Sequence, residues 1–419
     1  MISNFEISVI GLGYVGLPVA LNLSKNYKLV GYDINRLRIL KLKKNIDINN
    51  EFTERELSKY QKIKYTSNEK DISDSQVYIV TLPTPIDKNK RPNLSYLKNA
   101  CILISKYLKK NNIIVFESTV YPGLTEEYCA PLIEKYSSMI FNRDFFIGYS
   151  PERINPGDKK NNIKSITKVV SASNRKTLKK VIEIYSSICE NIHVAESIKV
   201  AEGAKIIENV QRDINIALIN ELSIVFDKLD INFNDVLKAA GTKWNFLPFQ
   251  TGLVGGHCIG VDPYYLSYRM KKINYNTELI LAGRKINDNY TNHIIDKISK
   301  NYSYLKKNAK ILILGFAFKE NVSDIRNTKV DNLFKSCKKI FGKVDIFDPV
   351  VDPLEVKKEY KIMILENPKI KYDICIYVVP HKIIQKSLGA LFAKTLHKKS
   401  IVYDLKYKVP KKLGYKIIN

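Results

Sequence analysis

The residues with the clearest chemical potential lie in the segment Gly255-Gly256-His257-Cys258-Ile259-Gly260-Val261-Asp262-Pro263. A cysteine stands here inside a cluster of glycines, and the carboxylate of Asp262 follows it four residues later. Glycine turns let a backbone come close to a ligand, and a deprotonated thiol attacks carbonyl carbons. Together with a dinucleotide motif near the N-terminus, this segment predicts oxidation through a covalent intermediate on Cys258.

The dinucleotide motif is Gly11-Leu12-Gly13-Tyr14-Val15-Gly16, which follows an apolar run at residues 7–10 and precedes a helical pattern. A second strand pattern at residues 28–32 then ends at Asp33. This order of strand, glycine turn, helix, strand and acid is typical of a βαβ unit that binds a dinucleotide. Asp33 would accept bonds from the ribose hydroxyls and repel a 2′-phosphate, so NAD is favoured over NADP. The alternative is a tight turn that binds nothing.

Two further groups of polar residues follow strand patterns. Thr81-Leu82-Pro83-Thr84-Pro85 and Phe116-Glu117-Ser118-Thr119-Val120 fall where ligands bind in open α/β sheets, and ordinary turns are the alternative. Ser150-Pro151-Glu152-Arg153 offers a general base in Glu152 and an anion ligand in Arg153, or else a surface ion pair.

A long helical pattern covers residues 198–230 and carries Lys205 and Asn209, which share one face because they are four residues apart. Lys205 has apolar neighbours, so it is expected either to be partly buried with a partner or to extend its amine to solvent from the helix edge. Most cysteines are buried and inert, and we assign that role to every cysteine except Cys258.

The order of patterns predicts an α/β protein with two Rossmann-like, doubly wound domains joined by a central helical region that contains one long helix. Strands are expected at residues 77–82, 113–116, 145–148 and 168–171, and later at 310–314, 344–347, 372–379 and 400–404. Helices are expected at residues 234–240, 276–289 and 328–341. The predicted domains are residues 1–195, which bind NAD, 196–300, which are helical and dimerise, and 301–419, which bind the substrate.

Composition narrows the class of protein. The chain has 419 residues and a net charge of +26, but its lysines are spread evenly, which argues against a nucleic-acid-binding face. An apolar run of the ~18 residues that a membrane span needs is absent from the sequence. The six cysteines form no CxxC pair, so neither a metal site nor a disulfide framework is predicted, and a cytoplasmic location is expected.

The chain resembles the family of UDP-glucose and UDP-N-acetylhexosamine 6-dehydrogenases along nearly its whole length. The segments that carry this resemblance include Gly11-Leu12-Gly13-Tyr14-Val15-Gly16, Pro83-Thr84-Pro85, Glu117-Ser118-Thr119-Val120, Ser150-Pro151-Glu152-Arg153-Ile154-Asn155-Pro156-Gly157, Ala201-Glu202-Gly203-Ala204-Lys205, Glu208-Asn209, Gly255-Gly256-His257-Cys258 and Phe318-Lys319-Glu320-Asn321. Arg153, His257 and Lys243-Trp244-Asn245-Phe246-Leu247-Pro248-Phe249 resemble the branch that acts on UDP-N-acetylglucosamine or UDP-N-acetylgalactosamine for capsule and O-antigen synthesis.

The resemblance implies a four-electron, NAD-dependent oxidation of a sugar C6 hydroxyl to a carboxylate by a homodimer. The implied catalytic residues are Cys258, Lys205, Asp262, Glu152, Asn209 and Thr119. The implied cofactor residues are Gly11, Gly13, Gly16, Tyr14, Val15, Asp33, Arg38, Thr84 and Thr119. The implied substrate residues are Arg153, Lys205, Asn209, Phe249, Gly255, Lys319 and Arg326. UDP-N-acetylmannosamine or UDP-glucose as substrate, and an inactive UDP-sugar-binding protein, stay open as alternatives.

Overall fold

A computed structural model describes residues 3–60, 62–153, 163–301 and 308–418, so the motif residues 154–157 lie outside the described residues. The chain forms two compact units. The N-terminal unit comprises Met1–Glu208 and Tyr264–Asn276, and the C-terminal unit comprises Asn209–Pro263 and Thr277–Asn419. The predicted division into three domains stays a prediction.

The N-terminal unit contains an eight-stranded sheet in the order β3-β2-β1-β4-β5-β6-β7-β8. The strands are β1 (Ser3–Ile10), β2 (Tyr27–Tyr32), β3 (Ile63–Thr66), β4 (Val77–Val80), β5 (Ile113–Phe116), β6 (Phe146–Tyr149), β7 (Thr167–Ala172) and β8 (Asn191–Val194). Neighbouring strands are parallel except β6 and β7, which run antiparallel. Strands β4 and β5 are buried at every residue, as expected for parallel strands covered on both faces.

The C-terminal unit contains a six-stranded parallel sheet in the order β11-β10-β9-β12-β13-β14. The strands are β9 (Lys310–Leu314), β10 (Lys343–Phe347), β11 (Ile364–Leu365), β12 (Tyr372–Tyr377), β13 (Leu396–Asp404) and β14 (Lys416–Ile418). Alternate residues of β9 enter two different apolar clusters: Ile311 and Ile313 pack in one, and Leu312 and Leu314 in the other. This alternation shows that both faces of the sheet are covered.

The helices comprise those that flank the sheets and a group between the two sheets in the sequence. They are α1 (Gly16–Leu23), α2 (Arg36–Leu42), α3 (Glu54–Leu57), α4 (Ser95–Ser105), α5 (Ala130–Ser137), α6 (Arg175–Ser186), α7 (Ile198–Lys228), α8 (Phe233–Ala240), α9 (Asp262–Lys271), α10 (Glu278–Asn301), α11 (Val330–Ile340), α12 (Pro353–Tyr360) and α13 (Lys382–Thr395). None of the helices within the described ranges is both long and apolar enough to cross a membrane.

These elements confirm the predicted fold class of two α/β sheets and a central helical region. The long helix α7 has 31 residues, about 46 Å at 1.5 Å per residue, and ends two residues before the predicted boundary. The sequence patterns predict no helix over α9, because this segment is rich in tyrosine and carries no clear stripe of aliphatic residues at helical spacing. Helix α9 nevertheless begins at Asp262, the acid of the cysteine segment.

Candidate active site

The glycine turn between β1 and α1 has the backbone that the N-terminal motif predicts. Gly11 has a φ of +95°, and its N–H donates to the Tyr32 carbonyl at 2.8 Å. A Cβ on Gly16 would lie 1.8 Å from the Gly11 carbonyl oxygen, so this position has room for glycine alone. A Cβ on Gly13 would meet no atom within 4 Å, so the turn is open at this point to a ligand. The partly exposed Tyr14 and Val15 complete the turn.

Asp33 holds this turn from the end of β2. Its Oδ2 accepts the Leu12 N–H and its Oδ1 accepts the Asn35 N–H, both at 2.8 Å, and the side chain is partly exposed. Arg38 lies beneath the turn: its Nε donates to the Leu12 carbonyl at 2.9 Å, and its Nη1 pairs with Asp47 at 2.6 Å. Because Arg38 is buried, the structure gives it a role in shaping the glycine turn.

Hydroxyl side chains connect the ends of the central strands. Thr81 Oγ1 donates to the Gly11 carbonyl at 2.7 Å, and Thr84 Oγ1 donates to the Thr119 carbonyl at 2.7 Å. Ser118 Oγ donates to the Leu82 carbonyl at 2.7 Å. The ends of β1, β4 and β5 are thus held in one place, with Thr84 and Thr119 partly exposed there. The sequence interpretation missed the role of Thr81, although its position at a strand end was a signal.

Glu152 follows β6 and enters a buried charged cluster. Its Oε2 lies 3.2 Å from the Lys168 ammonium, which lies 2.9 Å from a Glu117 oxygen. The Tyr185 hydroxyl donates to the other Glu117 oxygen at 2.5 Å. The sequence patterns placed Glu117 and Glu152 near strand ends but gave no sign of Lys168 or Tyr185 as partners, because no local pattern reveals that these four residues meet.

Further charged residues of the N-terminal unit lie on the first three turns of α7 or pair with residues there. Arg153 donates to the Thr167 carbonyl at 3.0 Å and pairs with Glu208 at 2.8 Å. Glu202 is buried and accepts the N–H groups of Gly123 and Thr125, and burial raises its pKa to about 7 against the lowering by those bonds. Lys205 lies one turn further along the helix and is partly buried.

The cysteine turn belongs to the C-terminal unit. Gly256 has a φ of +77°, and a Cβ there would lie 2.9 Å from the Phe318 ring. The Asn327 side chain donates to the Gly256 carbonyl at 2.8 Å, and a Cβ on Gly255 would lie 2.7 Å from the Asn327 carbonyl oxygen. These contacts explain why glycine occupies both positions, and they fix the backbone that leads to Cys258.

Cys258 differs from the other cysteines in exposure. All six cysteine positions are described, and Cys258 is partly exposed whereas the other five are buried. Its carbonyl accepts the Asp262 N–H at 2.8 Å, which begins α9. The Asp262 carboxylate in turn accepts a bond from Asn209 at 2.5 Å, with both side chains buried. Within this unit the structure therefore brings Cys258, Asp262 and Asn209 together.

The segment after β9 carries the predicted substrate residues Lys319 and Arg326. The Arg326 side chain donates to the Asp324 carboxylate from Nε at 3.0 and 3.1 Å and from Nη2 at 2.6 Å. Its Nη2 also lies 3.4 Å from His257 Nε2. Burial would raise the pKa of Asp324, but the bonds from Arg326 lower it by more. Arg326 therefore lies beside the cysteine turn.

Lys319 lines a small cleft in the C-terminal unit. The other lining residues are Leu253, Ala317, Phe318, Glu320, Thr328, Lys329, Val330, Val378, Val379 and Lys406. Phe249 lies partly buried in the segment after α8, where Trp244 is 92% exposed. The prediction that Lys205, Glu152, Thr119 and Arg153 act together with Cys258 joins residues of both units and stays a prediction.

Comparison with known proteins assigns the chain to a family. Residues 5–189 match the NAD binding domain of the UDP-glucose/GDP-mannose dehydrogenase family, 199–289 match its central domain, and 312–411 match its UDP binding domain. The chain belongs to this family. It is an NAD-dependent oxidoreductase of the UDP-sugar 6-dehydrogenase class.

Its relatives include a UDP-N-acetyl-D-glucosamine 6-dehydrogenase of Salmonella typhi, 48% identical over 98% of this chain and 97% of the relative. A UDP-N-acetyl-D-glucosamine 6-dehydrogenase of Pseudomonas aeruginosa is 47% identical over 96% of this chain and 97% of the relative. The solved structure of a UDP-D-ManNAc dehydrogenase from Pyrococcus horikoshii is similar with a TM-score of 0.86 and 26% identity, covering 99% of both chains.

Proposed function

We propose that this family member oxidises C6 of UDP-N-acetylglucosamine, or of its galacto epimer, to a carboxylate through a thioester on Cys258. The observation that carries the proposal is the partly exposed Cys258 on a glycine turn, with Asp262 and Asn209 bonded to each other beside it. The two UDP-N-acetylglucosamine dehydrogenases at 48% and 47% identity support the substrate.

The chemistry at Cys258 follows from the need to oxidise one carbon twice. Oxidation of the C6 hydroxyl gives an aldehyde, and the Cys258 thiolate adds to its carbon while the oxygen takes up a proton. Loss of a hydride and of that proton from the resulting thiohemiacetal gives a thioester. Water then adds, the C–S bond breaks, and the carboxylate product and the thiol are released.

Five other residues have proposed roles in these steps. Lys205 would stabilise the oxyanions as they form, and Asn209 would hold the sugar oxygen. Asp262 and Thr119 would position a water for proton transfer. Glu152 would accept a proton from the water that hydrolyses the thioester.

The N-terminal glycine turn fits the cofactor. Gly11, Gly13, Gly16, Asp33 and Thr84 would hold NAD, whose chemistry is to accept a hydride at each of the two oxidations. Gly13 leaves the backbone open to a phosphate beside the first turn of α1, whose N–H groups favour an anion. One Asp33 oxygen accepts the Leu12 N–H of the turn and the other accepts the Asn35 N–H, and the partly exposed carboxylate retains lone pairs for ribose hydroxyls.

Five further residues are proposed to contact the UDP-sugar. Arg326 and Lys319 present guanidinium and ammonium groups suited to a diphosphate, and Phe249 and Gly255 would contact the nucleotide or sugar. Arg153 completes the proposed set. The match of residues 312–411 to a UDP binding domain supports the assignment of Lys319 and Arg326.

A panel of UDP-sugars tests the substrate, with NADH absorbance followed for each sugar. We expect the highest kcat/KM with UDP-N-acetylglucosamine or UDP-N-acetylgalactosamine. We expect a lower kcat/KM with UDP-N-acetylmannosamine, because a UDP-N-acetyl-D-mannosamine dehydrogenase of Campylobacter jejuni is 31% identical to this chain, against 48% for the UDP-N-acetyl-D-glucosamine enzyme. A preference for UDP-glucose or UDP-N-acetylmannosamine would contradict the proposal. If none of the sugars yields NADH, the result would instead support an inactive UDP-sugar-binding protein.

We further propose that the enzyme is a homodimer formed through α7 and that its product enters surface-polysaccharide synthesis. Helix α7 presents exposed apolar residues along its length, which is unusual for a helix with no partner. They are Val200, Ile207, Leu218 and Val225. Sedimentation at micromolar concentration should show a dimer or a higher even oligomer, and a monomer would contradict this part of the proposal.

A further inference from the structure

The charged cluster around Lys168 is more deeply buried than a proton acceptor needs. Lys168 is fully buried, and its ammonium lies 2.9 Å from Glu117 and 3.2 Å from Glu152. Desolvation lowers the pKa of Lys168, but the two carboxylates raise it by more, so the ammonium stays charged. Buried ion pairs of this kind contribute little net stability, because desolvation offsets their attraction. The arrangement therefore calls for a role other than stability.

The antiparallel contact between β6 and β7 explains how Lys168 reaches Glu152. Gly148 pairs with Ala172 and Tyr149 pairs with Ser171. Extending this register three residues beyond Tyr149 places Glu152 opposite Lys168, and the Ser150 hydroxyl continues the contact by donating to the Val169 carbonyl at 2.8 Å. A parallel β7 would not bring these two side chains opposite each other.

The two carboxylates of the cluster are not equivalent. Glu117 accepts bonds from Lys168 and from Tyr185, and burial raises its pKa against the lowering by Lys168. Glu152 lies at the edge of the cluster, where its second oxygen accepts the Arg153 N–H at 2.6 Å. Among the described residues, Cys189 also lies near the cluster, and burial raises its pKa to about 11, so its thiol stays neutral.

We propose that Lys168 is a positioning residue that keeps Glu152 ionised and fixed for thioester hydrolysis, and that Glu117 competes for the same ammonium. This inference rests on the proposed role of Glu152 and deepens it. It assigns the control of the charge on the hydrolytic base to a buried lysine and a buried second carboxylate.

Opposite changes to the cluster should move the pH dependence of hydrolysis in opposite directions. In Glu117→Gln, the Lys168 ammonium pairs with Glu152 without competition from a second carboxylate. The acid limb of the pH profile of the hydrolysis rate should therefore move to lower pH by about 1 unit. Lys168→Met combined with Glu117→Gln removes the ammonium without leaving two unpaired carboxylates. Its acid limb should move to higher pH by about 1 to 3 units, with the rate at the alkaline plateau largely retained.

The readout is the decay of the covalent Cys258 adduct after rapid mixing with NAD and UDP-N-acetylglucosamine, measured by intact mass from pH 5 to 9. Lys180→Met, which removes an exposed ion pair with Glu183 on α6, is the matched control and should leave the limb unmoved. A merely structural role for Lys168 predicts slower decay at every pH with the limb in its wild-type place, and that result would overturn the inference.

Two single variants, Glu117→Gln and Glu152→Gln, keep the possible outcomes distinct. If the double variant does not fold, Glu117→Gln decides alone, and an acid limb at the wild-type pH or above it overturns the inference. Glu152→Gln should accumulate the adduct, because hydrolysis lacks its base. Absence of any adduct in Glu152→Gln overturns the thioester proposal and this inference with it, whereas an adduct with unmoved limbs overturns this inference only.

Discussion

The two sheets contain the same backbone turn and give it different surroundings. In the N-terminal unit Gly11 follows β1 with a φ of +95° and donates to the last residue of β2 at 2.8 Å. In the C-terminal unit Gly315 follows β9 with a φ of +94° and donates to the last residue of β10 at 2.9 Å. In both units an aspartate after the second strand, Asp33 or Asp348, accepts N–H groups of the turn.

The two aspartates differ in burial and in the hydrogen bonds that their carboxylates accept. Asp33 is partly exposed, and each of its oxygens accepts one backbone N–H. Asp348 is buried and accepts the N–H groups of Phe316 and Ala317, together with a contact to His381 Nε2 at 3.0 Å. The Asp33 carboxylate can therefore take part in binding a ligand, whereas the Asp348 carboxylate stabilises the turn of its own unit.

The chain after each turn differs as well. Helix α1 begins five residues after Gly11, so backbone N–H groups face the turn, whereas α11 begins fifteen residues after Gly315. The intervening segment carries Lys319 and Arg326. One turn thus suits recognition of a dinucleotide by backbone, and the other supports a segment whose charged side chains suit a UDP-sugar.

The largest effect expected from the comparison of the two turns distinguishes two glycines of the N-terminal turn. Gly16→Ala would place its Cβ 1.8 Å from the Gly11 carbonyl oxygen, which cannot move without changing the turn. We expect NADH formation to fall at least about 100-fold. Gly13→Ala meets no atom within 4 Å, so its melting temperature should match that of the wild type while its KM for NAD rises. Equal melting temperatures and equal activities for both variants would contradict this description of the turn.

The next largest effect concerns the stability of the C-terminal unit. Asp348→Ala would leave the N–H groups of Phe316 and Ala317 and the His381 ring without their acceptor in a buried site. We expect a loss of about 3 to 5 kcal/mol in the free energy of unfolding, measured with urea. Asp33→Ala should cost about 1 kcal/mol, because its site is partly open to water. Similar losses in the two variants would remove the difference drawn between the aspartates.

Cofactor preference is expected to depend on Asp33 alone. The wild-type enzyme should use NAD in preference to NADP, because a carboxylate at the end of β2 repels a 2′-phosphate. Asp33→Ala should narrow the ratio of kcat/KM values for the two cofactors by about 10- to 100-fold. Asp348→Asn is the matched control and should leave the ratio unchanged. Equal kcat/KM values for NAD and NADP in the wild type would show that Asp33 does not determine the cofactor preference.

The smallest expected effect is a pH dependence from Asp348. Burial would raise its pKa, but the contact with His381 and the backbone bonds lower it below 3.8. A lowered folded-state pKa contributes stability above pH 3.8, and that contribution is lost as the pH falls through the folded-state value. Urea unfolding between pH 5 and 3 should therefore show a steeper loss of stability in the wild type than in Asp348→Asn. If the unfolding free energies of the wild type and Asp348→Asn fall in parallel with pH, this prediction is wrong.

Local patterns predicted much of this fold. Strand β1, the glycine turn and Asp33 all lie within residues 3–33, so a local sequence pattern predicts them together. The apolar periodicity of residues 198–230 predicted α7, because a long helix repeats its pattern over many turns. The antiparallel direction of β7 could not be predicted, since a short apolar strand carries no sign of its partner. The Lys168 cluster was missed for a similar reason: its members Glu117 and Lys168 lie 51 residues apart.

The most direct test of the account counts NADH and looks for the bond to Cys258. With limiting UDP-N-acetylglucosamine, the wild type should form two NADH per sugar and a uronic acid. Cys258→Ser should lose turnover by several orders of magnitude, because a hydroxyl is less acidic than a thiol and a poorer leaving group. Cys337→Ala, at a buried cysteine of the same unit, should retain turnover. Steady formation of two NADH per sugar by Cys258→Ser would contradict the thioester route.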